Sequence, residues 1–267
     1  MKKSAIAIIQ ARMSSSRLPG KVLKPLAGKA MIWHIYQRAL QCKFVDKVVI
    51  ATSTEKSDDP LYSFCEENNL NVFRGDLNNV SSRFLEILKK HSYNYFVRIT
   101  GDCPLICPTF IDQQIMALYT FDSDVTWLRQ SCSSLEGQGV HSSRSLFYVN
   151  EKSIDPEDLE HVGSKYFAEN PDEFKIVEME ISKDLCVNKY RLTVDEENDY
   201  QLLKILYDDL YSSGPIELLD ALIWLDKHPA VADVNKKVVH KNLNVELEEK
   251  RSLWAEVPKS GFYKWVR

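Results

Sequence analysis

Residues 4–29 read SAIAIIQARMSSSRLPGKVLKPLAGK and indicate the fold of this chain before any other segment. A run dominated by Ala and Ile, residues 4–10, is followed at once by a polar segment that is rich in Ser, Arg and Lys. Such a run is typical of a strand buried on both faces, as in a parallel sheet. The polar segment therefore lies at the carboxyl end of that strand, where α/β sheets bind their ligands.

Short apolar runs alternate with amphipathic stretches through the first two-thirds of the chain. The pattern predicts strands at 4–10, 45–53, 71–73, 93–100, 123–128, 174–181 and 190–194. It predicts helices at 30–42, 58–69, 80–91, 108–120, 198–213 and 216–227. This alternation is typical of βαβ units, so we expect a mostly parallel sheet with helices on both faces.

The regular alternation ends at about residue 129. Residues 129–165 are polar and rich in turn formers, and we expect an inserted loop or hairpin arm there. We predict one α/β domain at 1–214 that contains this arm, and a C-terminal extension at 215–267 packed on the same domain.

Composition excludes several classes of protein. No apolar run approaches the roughly 18 residues that cross a bilayer, and the apolar run near the start is too short for a secretion signal. We therefore expect a cytoplasmic protein without a membrane partner. The formal charge of −4 argues against a general nucleic-acid binder. Residues 1–45 nevertheless carry nine Lys or Arg and no acidic residue, which leaves a net −13 on the rest and suggests one local anionic ligand.

The polar segment matches neither of the two commonest phosphate-binding loops. A Walker A loop reads G-x-x-x-x-G-K-[ST], but here Ser15 replaces the first glycine and Val22 replaces the hydroxyl residue that binds magnesium. A G-x-G-x-x-G loop is excluded because the segment holds only Gly20 and Gly28.

The chemistry of the segment nevertheless suits a polyphosphate. Successive backbone N–H groups in a tight turn form an anion-binding nest, to which serine hydroxyls add donors. Arg12 and Arg17 offer forked donors, while Lys21 supplies a compact positive charge that the Pro19-Gly20 turn directs back at the nest. A basic, solvated loop is the alternative interpretation of the same composition.

Two aspartates occupy similar junctions later in the chain. Asp102, in RITGDCP, and Asp195, in RLTVDEENDY, each follow a predicted strand. Magnesium takes one or two protein carboxylates and keeps several waters, so this pair would suffice to hold the ion beside a bound polyphosphate. Each could instead be an ordinary turn or N-cap residue.

Six segments, in this order, resemble the sugar-acid cytidylyltransferases, which include CMP-KDO and CMP-acylneuraminate synthetases, and above all their spore-coat polysaccharide (SpsF-like) branch. The segments are IIQARMSSSRLPGKVLKPLAGKAMIWH (8–34), VVIATS (48–53), VFRGDLNNVSSRF (72–84), VRITGDCPLICPTFID (97–112), EHVGSKYFAENPDEFKI (160–176) and YRLTVDEENDYQLL (190–203). The resemblance implies a Rossmann-like, three-layer α/β fold of the nucleotide-diphospho-sugar transferase (GT-A-like) type. It also implies Mg²⁺-dependent transfer of CMP from CTP to a sugar acid, with release of pyrophosphate, and a homodimer joined through the arm.

The residues and the resemblance together suggest a set of functional positions. The catalytic candidates are Arg12, Lys21, Asp102 and Asp195, the last two as metal ligands. The nucleotide-binding candidates are Ala11, Arg12, Ser14, Ser15, Arg17, Lys21, Arg74, Ser82 and Asp102. The acceptor-binding candidates are His161 and Arg144. Arg83 belongs either to the nucleotide site or to the surface of a helix.

The acceptor is the least determined part of the prediction. The segment EGQGVHSS, residues 136–143, departs from the DGLDVEV usual in the relatives, and Leu159 and Gly163 replace their Arg and Thr around His161. A phosphorylated polyol or sugar is an alternative acceptor, but the arm offers it few cations: Arg129, Arg144, Lys152 and Lys165. A non-catalytic nucleotide-binding protein on the same scaffold is the alternative of another class.

Overall fold

A computed structural model describes residues 5–128, 132–212, 214–238 and 262–265 of the chain. The strands are β1 Ala5–Gln10, β2 Pro25–Leu26, β3 Lys29–Ala30, β4 Lys47–Ser53, β5 Val72–Gly75, β6 Tyr95–Thr100, β7 Val125–Leu128, β8 Gln138–Ser142, β9 Ile176–Met179 and β10 Phe262–Trp265. The helices are α1 Met31–Ala39, α2 Asp59–Glu67, α3 Val80–His91, α4 Pro108–Phe121, α5 Ser143–Lys152, α6 Pro156–His161, α7 Ser164–Glu169, α8 Glu197–Leu210, α9 Leu218–Lys227 and α10 Pro229–Ala232.

Eight strands form one sheet, in the order β10-β9-β7-β8-β6-β1-β4-β5. Strand β1 pairs in parallel with β4 on one side and with β6 on the other, so that Ile8 lies opposite both Val49 and Arg98. Strand β8 alone among the eight is antiparallel to its neighbours, β6 and β7. The mostly parallel sheet predicted from the alternating pattern, and the Rossmann-like fold implied by the resemblance, are confirmed.

Strand β1 lies at the centre because both of its faces are apolar. Ala5, Ala7 and Ile9 belong to the larger buried cluster, which includes residues of α1, α4 and α8. Ile6 and Ile8 belong to the cluster on the other face, which includes residues of α3 and α5. Burying one such isoleucine contributes about 2 kcal/mol, so alternate residues of one strand fasten helix layers to both faces of the sheet.

Residues 129–165 are organised differently from the expected loop or hairpin arm. Residues 129–131, and with them Arg129, lie outside the described part of the chain. Strand β8 lies within the sheet, where Gln138, Val140 and Ser142 are buried at every second position. The polarity of this strand concealed its burial, because its polar side chains have interior partners: Gln138 Oε1 accepts from the N–H of Cys107 at 2.7 Å.

Two segments near the C-terminus differ in whether they join the sheet. Residues 190–194 were expected to be strand-like, but they do not pair within a sheet, and Val194 N–H instead donates to Asp102 O at 2.8 Å. Strand β10 extends the main sheet by pairing in parallel with β9. Among the described residues, no helix has both the length and the apolar character needed to cross a bilayer.

Candidate active site

The loop after β1 carries Lys21 to the carboxyl edge of the sheet. A hydrogen bond of 2.9 Å from Gly20 N–H to Met13 O closes the loop. Met13 N–H donates to Asp58 Oδ1 at 2.7 Å, which ties the loop to the segment after β4. Gly20 has a φ of 72°, which glycine adopts without steric cost, and the chain then enters a 3-10 turn whose first residue, Lys21, is buried.

Lys21 joins the two aspartates singled out by the sequence. Its Nζ lies 2.9 Å from Asp102 Oδ2 and 3.0 Å from Asp195 Oδ1, and it donates to Val194 O at 2.6 Å. Burial works against its charge, yet the two carboxylates raise the pKa of Lys21 above its ordinary value. Lys21 therefore stays protonated, and its ammonium group connects the loop after β1 with the segments that carry Asp102 and Asp195.

Gly101 explains how Asp102 comes so close to the first loop. A Cβ at this position would approach Gln10 O at 2.9 Å and the Cβ of Ala11 at 3.0 Å. Gly101 N–H donates to Gln10 O at 2.9 Å, which continues the β1–β6 ladder past its last strand residue. A residue without a side chain thus lets the Asp102 turn pack directly on the start of the Lys21 loop.

Asp195 is surrounded by cations. Its Oδ2 lies 3.0 Å from Arg17 Nη2 and 2.5 Å from Arg191 Nη2. Burial alone would raise the pKa of Asp195, but the charges of Lys21, Arg17 and Arg191 lower it below the ordinary value. Arg191 is not among the residues predicted from the sequence, although its position four residues before Asp195, in RLTVDEEND, pairs opposite charges over a short distance.

Asp102 and Asp195 fit a magnesium ion in donor type, and an ion shared by both would take the position that Lys21 Nζ holds between them. One oxygen of each carboxylate converges on the position of Lys21 Nζ, and about a quarter of each side chain is exposed, 26% and 24% respectively. Within the described residues, no group of three or more His, Cys, Asp and Glu is arranged to hold a metal. A magnesium ion at this pair would therefore complete its coordination with waters and substrate phosphate oxygens, as magnesium commonly does.

A second polar group adjoins the first loop. Arg12 Nη2 lies 3.3 Å from Glu160 Oε1 at the end of α6, next to His161. Arg98 donates from Nε to Gln10 Oε1 at 2.8 Å. Burial, reinforced by the positive charges of Arg98 and Arg12, lowers the pKa of His161 below its ordinary value of 6.5. His161 is therefore a neutral imidazole at pH 7, within electrostatic reach of the Arg12 loop.

The serines and Ala11 line the first loop in different ways. Ser14 is exposed, whereas Ser15 Oγ accepts from Leu18 N–H at 3.4 Å. Ala11 N–H donates to Ala51 O at 3.2 Å and so extends the β1–β4 pairing. Of these, Ser14 presents the most accessible side chain to a ligand over the loop.

Arg74 and Ser82 lie at the same edge of the sheet, near the ends of β4 and β5, and are held by local contacts. Arg74 Nε donates to Ser53 O at 2.8 Å, and its Nη2 lies 2.8 Å from Asp59 Oδ1. Ser82 N–H donates to Asn79 Oδ1 at 2.8 Å in the first turn of α3. The structure thus places both residues at the sheet edge where the loop lies, but in contact with neighbours other than Lys21, Asp102 and Asp195.

The sequence left two positions open for Arg83, in the nucleotide site or on the surface of a helix. In the structure Arg83 is buried and does not lie on the helix surface. Its Nη1 donates to Ala51 O at 2.9 Å, and its Nε has no hydrogen-bond partner among the described residues. Burial lowers the pKa of Arg83 to about 10. The side chain thus contacts the backbone of Ala51, two residues before the carboxyl end of β4.

Arg144 is not brought to this site. Because β8 is antiparallel, it carries the chain from the carboxyl edge at Gln138 to the opposite edge at Ser142. Arg144 there contacts Asp124 through Nε at 2.7 Å and Asp122 through Nη1 at 3.0 Å. The structure thus places Arg144, an acceptor-binding candidate, at the end of the sheet opposite to Lys21, Asp102 and Asp195.

Known proteins resemble the chain along most of its length. The family model for cytidylyltransferases matches residues 6–249. The spore coat polysaccharide biosynthesis protein SpsF of Bacillus subtilis is 30% identical over 229 residues, which cover 84% of this chain and 95% of that protein. The structure of a cytidylyltransferase from Leptospira borgpetersenii superimposes with a TM-score of 0.79 at 28% identity, over 90% of this chain and all of the other. A 3-deoxy-manno-octulosonate cytidylyltransferase of Pelobacter propionicus is 38% identical over 115 residues, 42% of this chain and 43% of that enzyme.

Proposed function

The chain belongs to the cytidylyltransferase family, and from this membership and its site we propose that it transfers CMP from CTP to a sugar acid with release of pyrophosphate. The acceptor class that we propose is a nonulosonic or 3-deoxy-2-keto acid. The partial match to a 3-deoxy-manno-octulosonate cytidylyltransferase supports this class. The match to SpsF supports a role in surface polysaccharide or glycan synthesis.

The meeting of Lys21 with Asp102 and Asp195 is the observation that carries this proposal. A loop rich in N–H and cationic donors binds phosphate, and paired carboxylates bind the cation that accompanies it. Their contact at one carboxyl edge is the arrangement that a nucleoside triphosphate and its metal require. The exposed Ser14 and the half-exposed Arg12, which pairs with Glu160, face solvent at this edge.

In the proposed reaction, Arg12, Arg17 and Lys21 bind the β- and γ-phosphates of CTP, and Ser14 and Ser15 add donors from the loop. Ala11, Arg74 and Ser82 contribute to the nucleoside side of the same site. Asp102 and Asp195 would hold Mg²⁺, which when bound neutralises charge on the departing pyrophosphate.

The acceptor side is proposed to lie at His161. As a neutral imidazole, it accepts a hydrogen bond from an acceptor hydroxyl and holds that hydroxyl in line with the α-phosphorus. The attacking oxygen then forms a bond to the α-phosphorus as the bond from that phosphorus to the bridging oxygen breaks. Pyrophosphate leaves with the bonding electron pair, and the proton of the attacking hydroxyl passes to solvent. Catalysis here consists of positioning and charge neutralisation, so no protein nucleophile is needed.

We propose a cytoplasmic homodimer that associates through the segment 129–165, as expected from the sequence. Ile154 in this segment is 90% exposed, and Tyr148 nearby is also exposed. Analytical ultracentrifugation of the wild type and of Ile154→Ser tests this assembly, and a monomeric wild type would exclude it.

The reaction is tested by pyrophosphate release in the presence of Mg²⁺, each of the four nucleoside triphosphates, and a panel of 3-deoxy-2-keto sugar acids. We expect release with CTP in combination with at least one of the acids. Release with a phosphorylated polyol or sugar, and with none of the acids, would instead assign the alternative acceptor. No release with CTP and any acceptor would contradict the proposed function.

A further inference from the structure

A fully buried carboxylate lies beside the proposed metal ligand Asp195. Asp199, in the first turn of α8, has no exposed surface. Its Oδ2 accepts from the N–H groups of Asp195 and Glu196, each at 3.0 Å. Its Oδ1 lies 3.0 Å from Arg191 Nε. Asp199 thus holds the backbone of Asp195 and also the arginine that contacts the carboxylate of Asp195.

The C-terminal extension completes this network. Asn235 follows α10 and is 4% exposed. Its Nδ2 donates to Asp199 Oδ1 at 2.9 Å and to Arg191 O at 3.0 Å. Both partners are hydrogen-bond acceptors, so each of the two amide hydrogens of Asn235 is donated to one of them. A residue some forty positions later in the chain therefore fixes the two residues that orient Asp195.

The C-terminal extension packs against the rest of the domain, so it can hold Asn235 in a fixed position. Val231, Ala232 and Val234 pack against the main buried cluster. Tyr190, next to Arg191, donates from its hydroxyl to Asp226 in α9. The segment 190–199 is thus held to the extension at two places, Asp226 and Asn235.

We infer that Asn235 is a positioning residue for Asp195, and that the extension at 229–238 is a working part of the active site. This inference rests on the proposed function, in which Asp195 holds the metal. We place Asn235 in contact with neither substrate nor metal; it keeps Arg191 and Asp199 in the arrangement that directs Asp195 Oδ1 to Lys21 Nζ, which Asp102 also contacts. Mutation of a residue that hydrogen-bonds to a metal ligand typically lowers metal affinity or activity by about 10- to 100-fold.

Two substitutions separate the hydrogen bonds from the packing. Asn235→Asp keeps the shape of the side chain, removes its donors and places a charge beside Asp199, whereas Asn235→Ala removes the donors without adding charge. Asp233→Ala is the matched control, because Asp233 lies in the same turn and contacts Lys236 on the surface. In both Asn235 variants we expect kcat to fall about 10-fold or more and the Mg²⁺ concentration for half-maximal rate to rise about 10-fold. The KM for CTP is expected to change less than threefold.

Amide hydrogen exchange of the free protein tests the positioning role without any substrate. Exchange is expected to accelerate in a peptide spanning 190–199 of both Asn235 variants and to match the wild type in Asp233→Ala. Unchanged exchange in that peptide, or kcat within twofold of wild type in both variants, would overturn the inference. A wild type that releases no pyrophosphate, combined with accelerated exchange in the variants, overturns the proposed function and supports the positioning role.

Discussion

Replacing Lys21 by methionine removes the ammonium that Asp102 and Asp195 share while keeping most of the side-chain volume. The Lys21 side chain is 10% exposed and the two carboxylates are each about a quarter exposed. Breaking a fully buried ion pair costs about 3–5 kcal/mol, whereas an exposed pair is worth about 0–1 kcal/mol. We therefore expect Lys21→Met to lower the free energy of unfolding by about 2 kcal/mol at pH 7, between these limits.

The pH dependence of this loss follows from the two pKa shifts. The folded pKa of Asp195 is lowered, so its pairing stabilises the fold above the unfolded pKa of about 3.9 and is lost as pH falls through the folded value. The folded pKa of Lys21 is raised, so its contribution is complete below about pH 10.4 and is lost as pH rises through the folded value. The stability difference between wild type and Lys21→Met should thus be full near pH 7 and shrink below about pH 4.

Urea unfolding followed by circular dichroism at pH 7 and pH 3.5 measures this difference, and pyrophosphate release measures turnover. Turnover of Lys21→Met is expected to fall by about 10²-fold or more, the scale of losing one electrostatic stabiliser. Lys24→Met is the matched control, because Lys24 lies in the same loop and pairs with the half-exposed Glu197. Equal stability and near-normal turnover in Lys21→Met would refute the shared-ammonium interpretation.

Three further predictions address the rest of the site. Asp102→Asn should lower turnover by about 10²-fold, and near-normal turnover would remove Asp102 from the proposed site. NMR titration of His161 should give a midpoint below 6.5, and Arg98→Gln should move that midpoint upward; a wild-type midpoint above 6.5 would contradict the neutral imidazole. Arg144→Ala should leave the KM of the acceptor within about twofold, because Arg144 lies at the far edge of the sheet, and a tenfold rise would restore its acceptor-binding role.

The sheet and the convergence of Lys21 with Asp102 could be anticipated from the sequence for a physical reason. Strands buried on both faces, such as Ala5–Gln10, read as apolar runs, and parallel strands bring their carboxyl ends to one edge. Asp195 reaches the same edge in another way, because residues 190–194 form no strand and Val194 N–H donates to Asp102 O instead. The meeting itself was expected, although the direct contact of the ammonium with both carboxylates was not.

Strand β8 and the network around Asp199 could not be anticipated because their polar residues are buried. Gln138 and Ser142 look like loop residues until their interior partners are known, and that concealed an antiparallel strand that moves Arg144 to the other edge. Asn235 likewise has no local signal, since its partners Arg191 and Asp199 lie some forty residues earlier in the chain. Contacts of this kind depend on the three-dimensional packing and not on any pattern of adjacent residues.

The transfer itself is most directly measured with CTP labelled at the α-phosphate. The wild type is incubated with Mg²⁺ and the 3-deoxy-2-keto sugar acid that supports the fastest pyrophosphate release, and both labelled products and pyrophosphate are quantified. We expect the label to appear in a CMP-sugar acid at one equivalent per pyrophosphate released, with Asp102→Asn and Lys21→Met each forming it about 10²-fold more slowly. Label that stays in CTP, or that appears as free CMP without a sugar adduct, would contradict the proposal that this cytidylyltransferase-family chain acts on a sugar acid.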